Sequence, residues 1–180
     1  LTRTTGVISN NSNGATYYWV GGPGNWSDVS HWTSISGGTA SAGCIPTLLD
    51  TVVIDDNSGS SNFAIQLSEF TEVAAFLDQT SQLEPTLNGP WGSIFRASNR
   101  FHNMNCNFYN GIFVSLEGSY QNSTIKSIKK IGRLVLGTTG KWTQIDSVRC
   151  DRFHFFKGDY DQNEYPLYVD DRMSNNRDEH

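Results

Sequence analysis

Charge is scarce in this 180-residue chain, where Asp, Glu, Lys and Arg together make up 17%. Thirteen cations against 18 anions leave a formal net charge of −5, so the basic footprint of a nucleic-acid binder is missing. No apolar run approaches the roughly 18 residues that a membrane-spanning helix needs, and no membrane insertion is expected. Cysteine is limited to Cys44, Cys106 and Cys150. Three thiols allow one disulfide in three possible pairings, with one left over. The absence of a CxxC pair or a His/Cys cluster argues against a structural zinc site. Helical spacing is lacking too. Ser68–Asp78 comes nearest, but Thr71, Val73 and Phe76 favour a strand.

Gly, Ser, Asn and Thr are plentiful instead, and aromatics reach 12%, too many for a disordered chain. β-branched and aromatic runs alternate with Gly/Asn/Ser clusters, which predicts an all-β protein. The length suits one domain with a real core. The chain starts at Leu1 without a signal-peptide pattern and finishes in a polar run from Asp170 to His180. A processed protein, or one piece of a longer one, is expected.

One stretch stands out. Residues 17–32 hold Trp19, Trp26 and Trp32, three of the five tryptophans, together with Gly21, Gly22, Pro23 and Gly24. The glycines permit positive φ and the proline fixes its own, so the stretch reads as a tightly bent loop. Its indoles would be hidden in a compact aromatic cap.

Beyond this loop, short apolar segments recur. Ile54, Ala75, Ile94, Val114, Val135 and Phe155 stand 19 to 21 apart. Ile65, Leu87, Cys106, Ile125, Ile145 and Leu167 form a second series, 19 to 22 apart. Turn chemistry such as Asn88-Gly89-Pro90-Trp91-Gly92, Gly137-Thr138-Thr139-Gly140 and Lys157-Gly158-Asp159 fills the intervals. A period near 20 without helical spacing predicts a parallel β-solenoid of about six coils, with apolar residues stacked inside. A β-sandwich would also give short strands and turns, but has no reason to keep the period. The expected division is a linker or leading edge over 1–16, a capping segment over 17–43, coils over 44–170 and a polar tail over 171–180. Ile54, Ile94, Val114, Val135 and Phe155 are the expected core.

Tyr17-Tyr18-Trp19-Val20-Gly21-Gly22-Pro23-Gly24-Asn25-Trp26-Ser27-Asp28-Val29-Ser30-His31-Trp32, followed by Ile45-Pro46-Thr47 and Asp50–Asp55, resembles a segment repeated in very large secreted proteins of Bacteroidetes. These are the gliding-motility adhesins and other cargo of type IX secretion. Phe155–Asp161 is similar to the family's late coil. The resemblance implies a right-handed parallel β-helix opened by the aromatic loop, and export to the cell surface or medium. It implies no catalytic activity. The family's C-terminal secretion signal has no counterpart here, and the aromatic loop is not repeated, which fits a fragment or a single module. The implied partners are neighbouring modules of the same polypeptide, secretion or gliding components, and surface glycans.

Several residues are candidates for chemistry. Trp19, Gly21, Gly22, Gly24, Asn25, Trp26, Asp28, His31 and Trp32 are expected to build the cap, closing the apolar end of the stack. Exposed indoles there would instead stack on sugar rings. Asp28 and His31 could pair as acid and base, but such residues more often cap turns. Asp55, Asp56 and Asn57 offer oxygen ligands for Ca2+, though without the distal Glu of a calcium loop. Thr51 and Ser147 sit in Asp-Ser/Thr-aliphatic triplets, which resemble the O-glycosylation sites of exported Bacteroidetes proteins. Arg96, Arg100, Lys157 and Asp159 differ in phase along the period and should not share a cleft, and His102 and His154 are unpaired in sequence. The expected function is a structural or adhesive module without catalytic residues. The alternative is a carbohydrate-binding module or polysaccharide-degrading enzyme on the same scaffold.

Overall fold

The structure, a computed structural model, describes residues 14–109, 111–118 and 122–175. Most of the expected leading edge (1–13) and the last residues of the expected tail (176–180) lie outside them. Among the described residues there is no α-helix. In chain order the strands are β1 (Thr16–Trp19), β2 (Gly24–Asn25), β3 (Trp32–Thr33), β4 (Thr51–Ile54), β5 (Ala64–Gln66) and β6 (Phe70–Asp78). There follow β7 (Thr86–Asn88), β8 (Ile94–Asn103), β9 (Asn107–Phe108), β10 (Phe113–Leu116), β11 (Ser123–Asp161) and β12 (Leu167–Asn175). A single 3-10 turn covers Val29–His31.

The strands form two sheets. One has eight strands in the order β12-β11-β10-β8-β6-β4-β1-β3, and the other has four in the order β2-β5-β7-β9. Only the short β1–β3 pair is antiparallel. Parallel neighbours need a crossover, which in most proteins is a helix. Here the crossover is itself a strand of the other sheet: β5 lies between β4 and β6, and β7 between β6 and β8. From β4 onward the large sheet places each strand beside one about a coil further on. Thr51 faces Ala75, Phe113 faces Arg133, and Val148 faces Leu167.

β11 is far from straight. Straight, its 39 residues would span roughly 130 Å, and residues twenty apart would be about 65 Å from each other. Yet Lys141 Nζ lies 2.8 Å from Asp161 Oδ2, and Lys130 Nζ 2.7 Å from Asp151 Oδ1. The strand therefore bends back along its own earlier residues.

Apolar residues stack along three lines. Val52, Phe76, Phe101 and Ile125 are successive register partners, as are Phe95, Val114 and Leu134, and Ile65, Leu87 and Phe108. All are buried. The two expected series are corrected here. Ala75 faces Arg100 rather than Ile94, and Leu87 faces Phe108 rather than Cys106. The reason is that β6 and β8 each carry two pairing segments, separated by an irregularity between Val73 and Ala75. Each turn thus has three lines, not two. Ile54 and Val114 are buried as expected, while Ile94, Val135 and Phe155 are half-buried. Phe95 and Leu134, the neighbours of Ile94 and Val135, point inward instead, since one residue of slip exchanges the faces of a strand, while Phe155, two residues from buried Phe153, packs against the core. Asp171–Asn175 is not a tail but the end of β12, paired with β11.

No disulfide forms: Cys44 is exposed, and Cys106 and Cys150 are buried and free. The corner after β6 is held by a carboxylate. Asp78 is 2% exposed. Its Oδ2 accepts from the backbone N–H groups of Met104, Asn105 and Cys106 at 2.9, 2.5 and 2.7 Å. Its Oδ1 accepts from Thr80 N and Oγ1 at 3.0 and 2.7 Å. Five donors on one side chain tie two successive coils together.

Two outcomes follow for urea unfolding. Asp78→Ala strands buried amides and should cost about 3 kcal/mol or more. Leu134→Ala should cost about 2–5 kcal/mol, whereas Val135→Ala should cost under about 1.5 kcal/mol; equal costs would overturn the assigned faces.

Candidate functional site

The aromatic segment is part of the stack as well as its end. β1 lies beside β4 in the large sheet, and β2 beside β5 in the small one. Gly21 and Gly22, at φ +83° and +73°, turn the chain between them. Trp19, Trp26 and Trp32 are 0%, 4% and 0% exposed, so none offers a face to a sugar. Trp19 Nε1 donates to Gly22 O, and Trp32 Nε1 to Trp26 O, both at 2.7 Å. The His31 ring stacks on Trp19, 4.5 Å between centroids, and its Nδ1 donates to Val20 O at 2.6 Å. Gly24 must lack a side chain, because a Cβ there would sit 2.0 Å from His31 Nε2. Asn25 pairs with Gln66, and its carbonyl accepts from Asp28 N.

The side chains of Asp28 and His31 are not hydrogen-bonded to each other. Asp28 Oδ1 accepts from Ser30 N and Oγ at 2.9 and 2.7 Å, capping the turn, and these bonds hold the carboxyl below its usual range. The acidic turn is divided in the same way. Asp55 accepts from Ser36 Oγ and Asn57 N, and Asn57 Nδ2 donates to the same Ser36. Asp56 turns elsewhere, accepting from Ser81 N, Ser81 Oγ and Gln82 N, which lower it to about 2. The three do not converge, and no group of three metal-binding side chains occurs among the described residues. Thr51 and Ser147 are half-buried; Thr51 lies in β4, and the Ser147 amide donates to Asp146. Burial pushes the Cys106 thiol up and Cys150 to about 12, so both stay protonated and unreactive.

The outward face of β8, β10 and β11 gathers what the sequence scattered. Arg96 bridges Glu72 at 3.2 Å and Glu117 at 3.3 Å, and lies over the Phe70 ring. Arg133 lies 4.2 Å over the Phe113 ring. His154 shares a hollow of about 360 Å³ with Phe113, Glu117, Arg133 and Phe156. Glu117 lines this hollow and also pairs with Arg96, which lies outside it. The offsets between facing residues vary along the chain: Glu72 and Arg96 are 24 apart, Thr138 and Gly118 only 20. Arg100 and His102 belong to the other pairing segment of β8. Lys157 and Asp159 are exposed on β11.

A second hollow, of about 280 Å³, adjoins the first through Phe113 and Arg133. Trp91, Asp151, Arg152 and Asp171 complete it. Trp91 is 83% exposed, the one tryptophan of the chain that faces solvent. It sits at the second position of a turn closed by Ser93 N to Pro90 O at 3.0 Å. Gly92 at φ +89° makes this a type II turn. The indole rests against Gly111, where an added Cβ would be 3.0 Å from Trp91 Cδ1. In the sequence this Trp stands within turn chemistry, Asn88-Gly89-Pro90-Trp91-Gly92. The available signal was a large aromatic flanked by Pro and Gly, where no core can receive it.

Scanned against protein-family models, curated proteins and solved structures, the chain matches none significantly.

Burial lowers the His102 imidazole to about 4, with Lys126 and Arg100 acting in the same direction. His154 is lowered as well, first by burial and then by Arg133, Arg172 and Arg152. The unfolded chain takes up protons near 6.5, so between the two values it holds more protons than the folded chain. Stability should be complete above about pH 6.5 and decline as pH falls toward 4. Melting temperatures across this range should show the decline, and His102→Gln should flatten it.

Proposed function

We propose that this chain is a structural and adhesive module of a secreted or cell-surface bacterial protein, built as a right-handed parallel β-helix. The alternation of each coil between two sheets supports the β-helix reading, and right-handed crossovers are the rule for parallel strands. Backbone ladders between coils resist bending, so such a stack is a stiff spacer with long outer faces for contacts. The resemblance of residues 17–32 to gliding adhesins and type IX cargo supports export. Neighbouring modules of the same polypeptide are the first partners.

The observation that carries the reading is the difference between the two ends. At one end, Trp19 and Trp32 are fully buried and β3 turns antiparallel against β1. At the other, β12 pairs with β11 alone, and its inward Leu167 and Val169 are only half-buried. Among the described residues β12 is a nine-residue edge strand, a surface with which a neighbouring module can pair.

Protease treatment of intact producing cells should release peptides of this chain before lysis, and the native polypeptide should be far larger than 20.0 kDa. Peptides that appear only after lysis, from a 20.0 kDa species, would sink the proposal.

A further inference from the structure

We infer that the groove beneath Trp91 binds an acidic glycan, with a uronosyl ring stacked on the indole and its carboxylate held by Arg133. This deepens the adhesive reading and rests on it only for the setting in which such a glycan is met.

Three features carry the inference. The first is the exposed indole. Trp91 is 83% exposed, and its ring backs onto Gly111, which leaves the opposite face open. That flat apolar face matches the C–H face of a pyranose ring.

The second is the unspent cation. Arg152 is paired with Asp171 at 2.6 Å, and Lys130 with Asp151 at 2.7 Å. Arg133 has no carboxylate within 4.0 Å among the described residues, and Phe113 seats its guanidinium from below. A pre-positioned guanidinium fork is suited to two parallel bonds with one carboxylate.

The third is the state of the acids. Asp151 and Asp171 line the same hollow, yet each is neutralised by its own cation. Their remaining lone pairs accept hydroxyl protons without repelling a carboxylate two positions away on the sugar. Ring face, carboxylate fork and hydroxyl acceptors are together what a uronosyl residue presents. The adjoining hollow over Phe113 and Phe156 extends the trough for the next residue of a chain.

The test uses the purified chain and the fluorescence of Trp91, since the other four tryptophans are buried. Oligomers of galacturonate, glucuronate, and mannuronate/guluronate are titrated beside the methyl-esterified galacturonate oligomer, which keeps the sugar and masks the charge. At least one free-acid oligomer should shift the emission and bind at least about tenfold more tightly than the ester, with affinity falling as salt rises. Trp91→Ala removes the fluorescent reporter, so its binding is followed by titration calorimetry beside the unaltered chain, where it should be abolished at unchanged melting temperature. Arg133→Gln should remove the preference for acid over ester, and Gly111→Ala should weaken binding by displacing the indole. Binding to none of the oligomers, equal binding of acid and ester, or an unaffected Trp91→Ala would overturn the inference. So would polyglutamate binding as tightly as the best oligouronide. Because the assay needs no cells, failure of the surface-protein reading leaves its result intact.

Discussion

The fold depends on one unbroken run of aromatic contacts. Trp19 meets Trp32 edge-on at 4.9 Å, Trp32 meets Trp26 at 4.7 Å, and Trp26 meets Phe95 at 5.8 Å. Phe95 then joins Phe76, Phe101 and Phe108 at 5.2 to 6.5 Å. Residues more than sixty positions apart in sequence are thus in direct contact. A coil of parallel strands gains little from local pairing, because each strand must wait for one a full turn away. The aromatic run supplies the missing cohesion between coils. Each ring buries a large area, and the edge-to-face geometry adds about 0.5–1.5 kcal/mol per pair beyond it.

Polar groups at the corners do the remaining alignment. Asp78 collects three consecutive amides from the next coil, and Asp56 collects the amides of Ser81 and Gln82. Asp50 does the same across a longer interval, accepting from Ala15 N and Thr47 N. Where a parallel coil turns, backbone donors point away from any ladder and would otherwise be stranded. A carboxylate reaching from the coil before satisfies several at once and fixes where the turn lies. Asp50 and Asp78 are buried in doing so, while Asp56 is half-buried.

The strand character and the recurrence of apolar segments were legible in the sequence, because β-branched and aromatic runs between turn-formers have few other uses. The faces were only partly legible. Ile54 and Val114 were placed correctly, but Ile94 and Val135 fell one residue out, as alternation fixes the face only once the pairing is known. The three-line core stayed hidden because β6 and β8 run through a corner without a Gly or Pro to mark it. Asp78 was passed over for a similar reason: nothing near it in sequence shows that its partners lie 26 to 28 residues away.

The groove was the least legible part, and the reason is physical. Trp91, Phe113, Arg133 and Asp151 stand on different coils, and register alone unites them. Their spacings of about twenty are those of the fold itself, so no local motif can mark them. Along an outer face, however, the same register puts unlike residues side by side without disturbing the interior. Phe113 pairs with Arg133 in the ladder, so the ring and the guanidinium are brought together by backbone bonds rather than by their own attraction. The interior demands size and apolarity at each inward position, whereas the outer face is free to vary coil by coil. A stack of this kind holds its core nearly constant while its surface specialises, and the exposed indole at the Pro90–Ser93 turn is where this surface departs furthest from what folding requires.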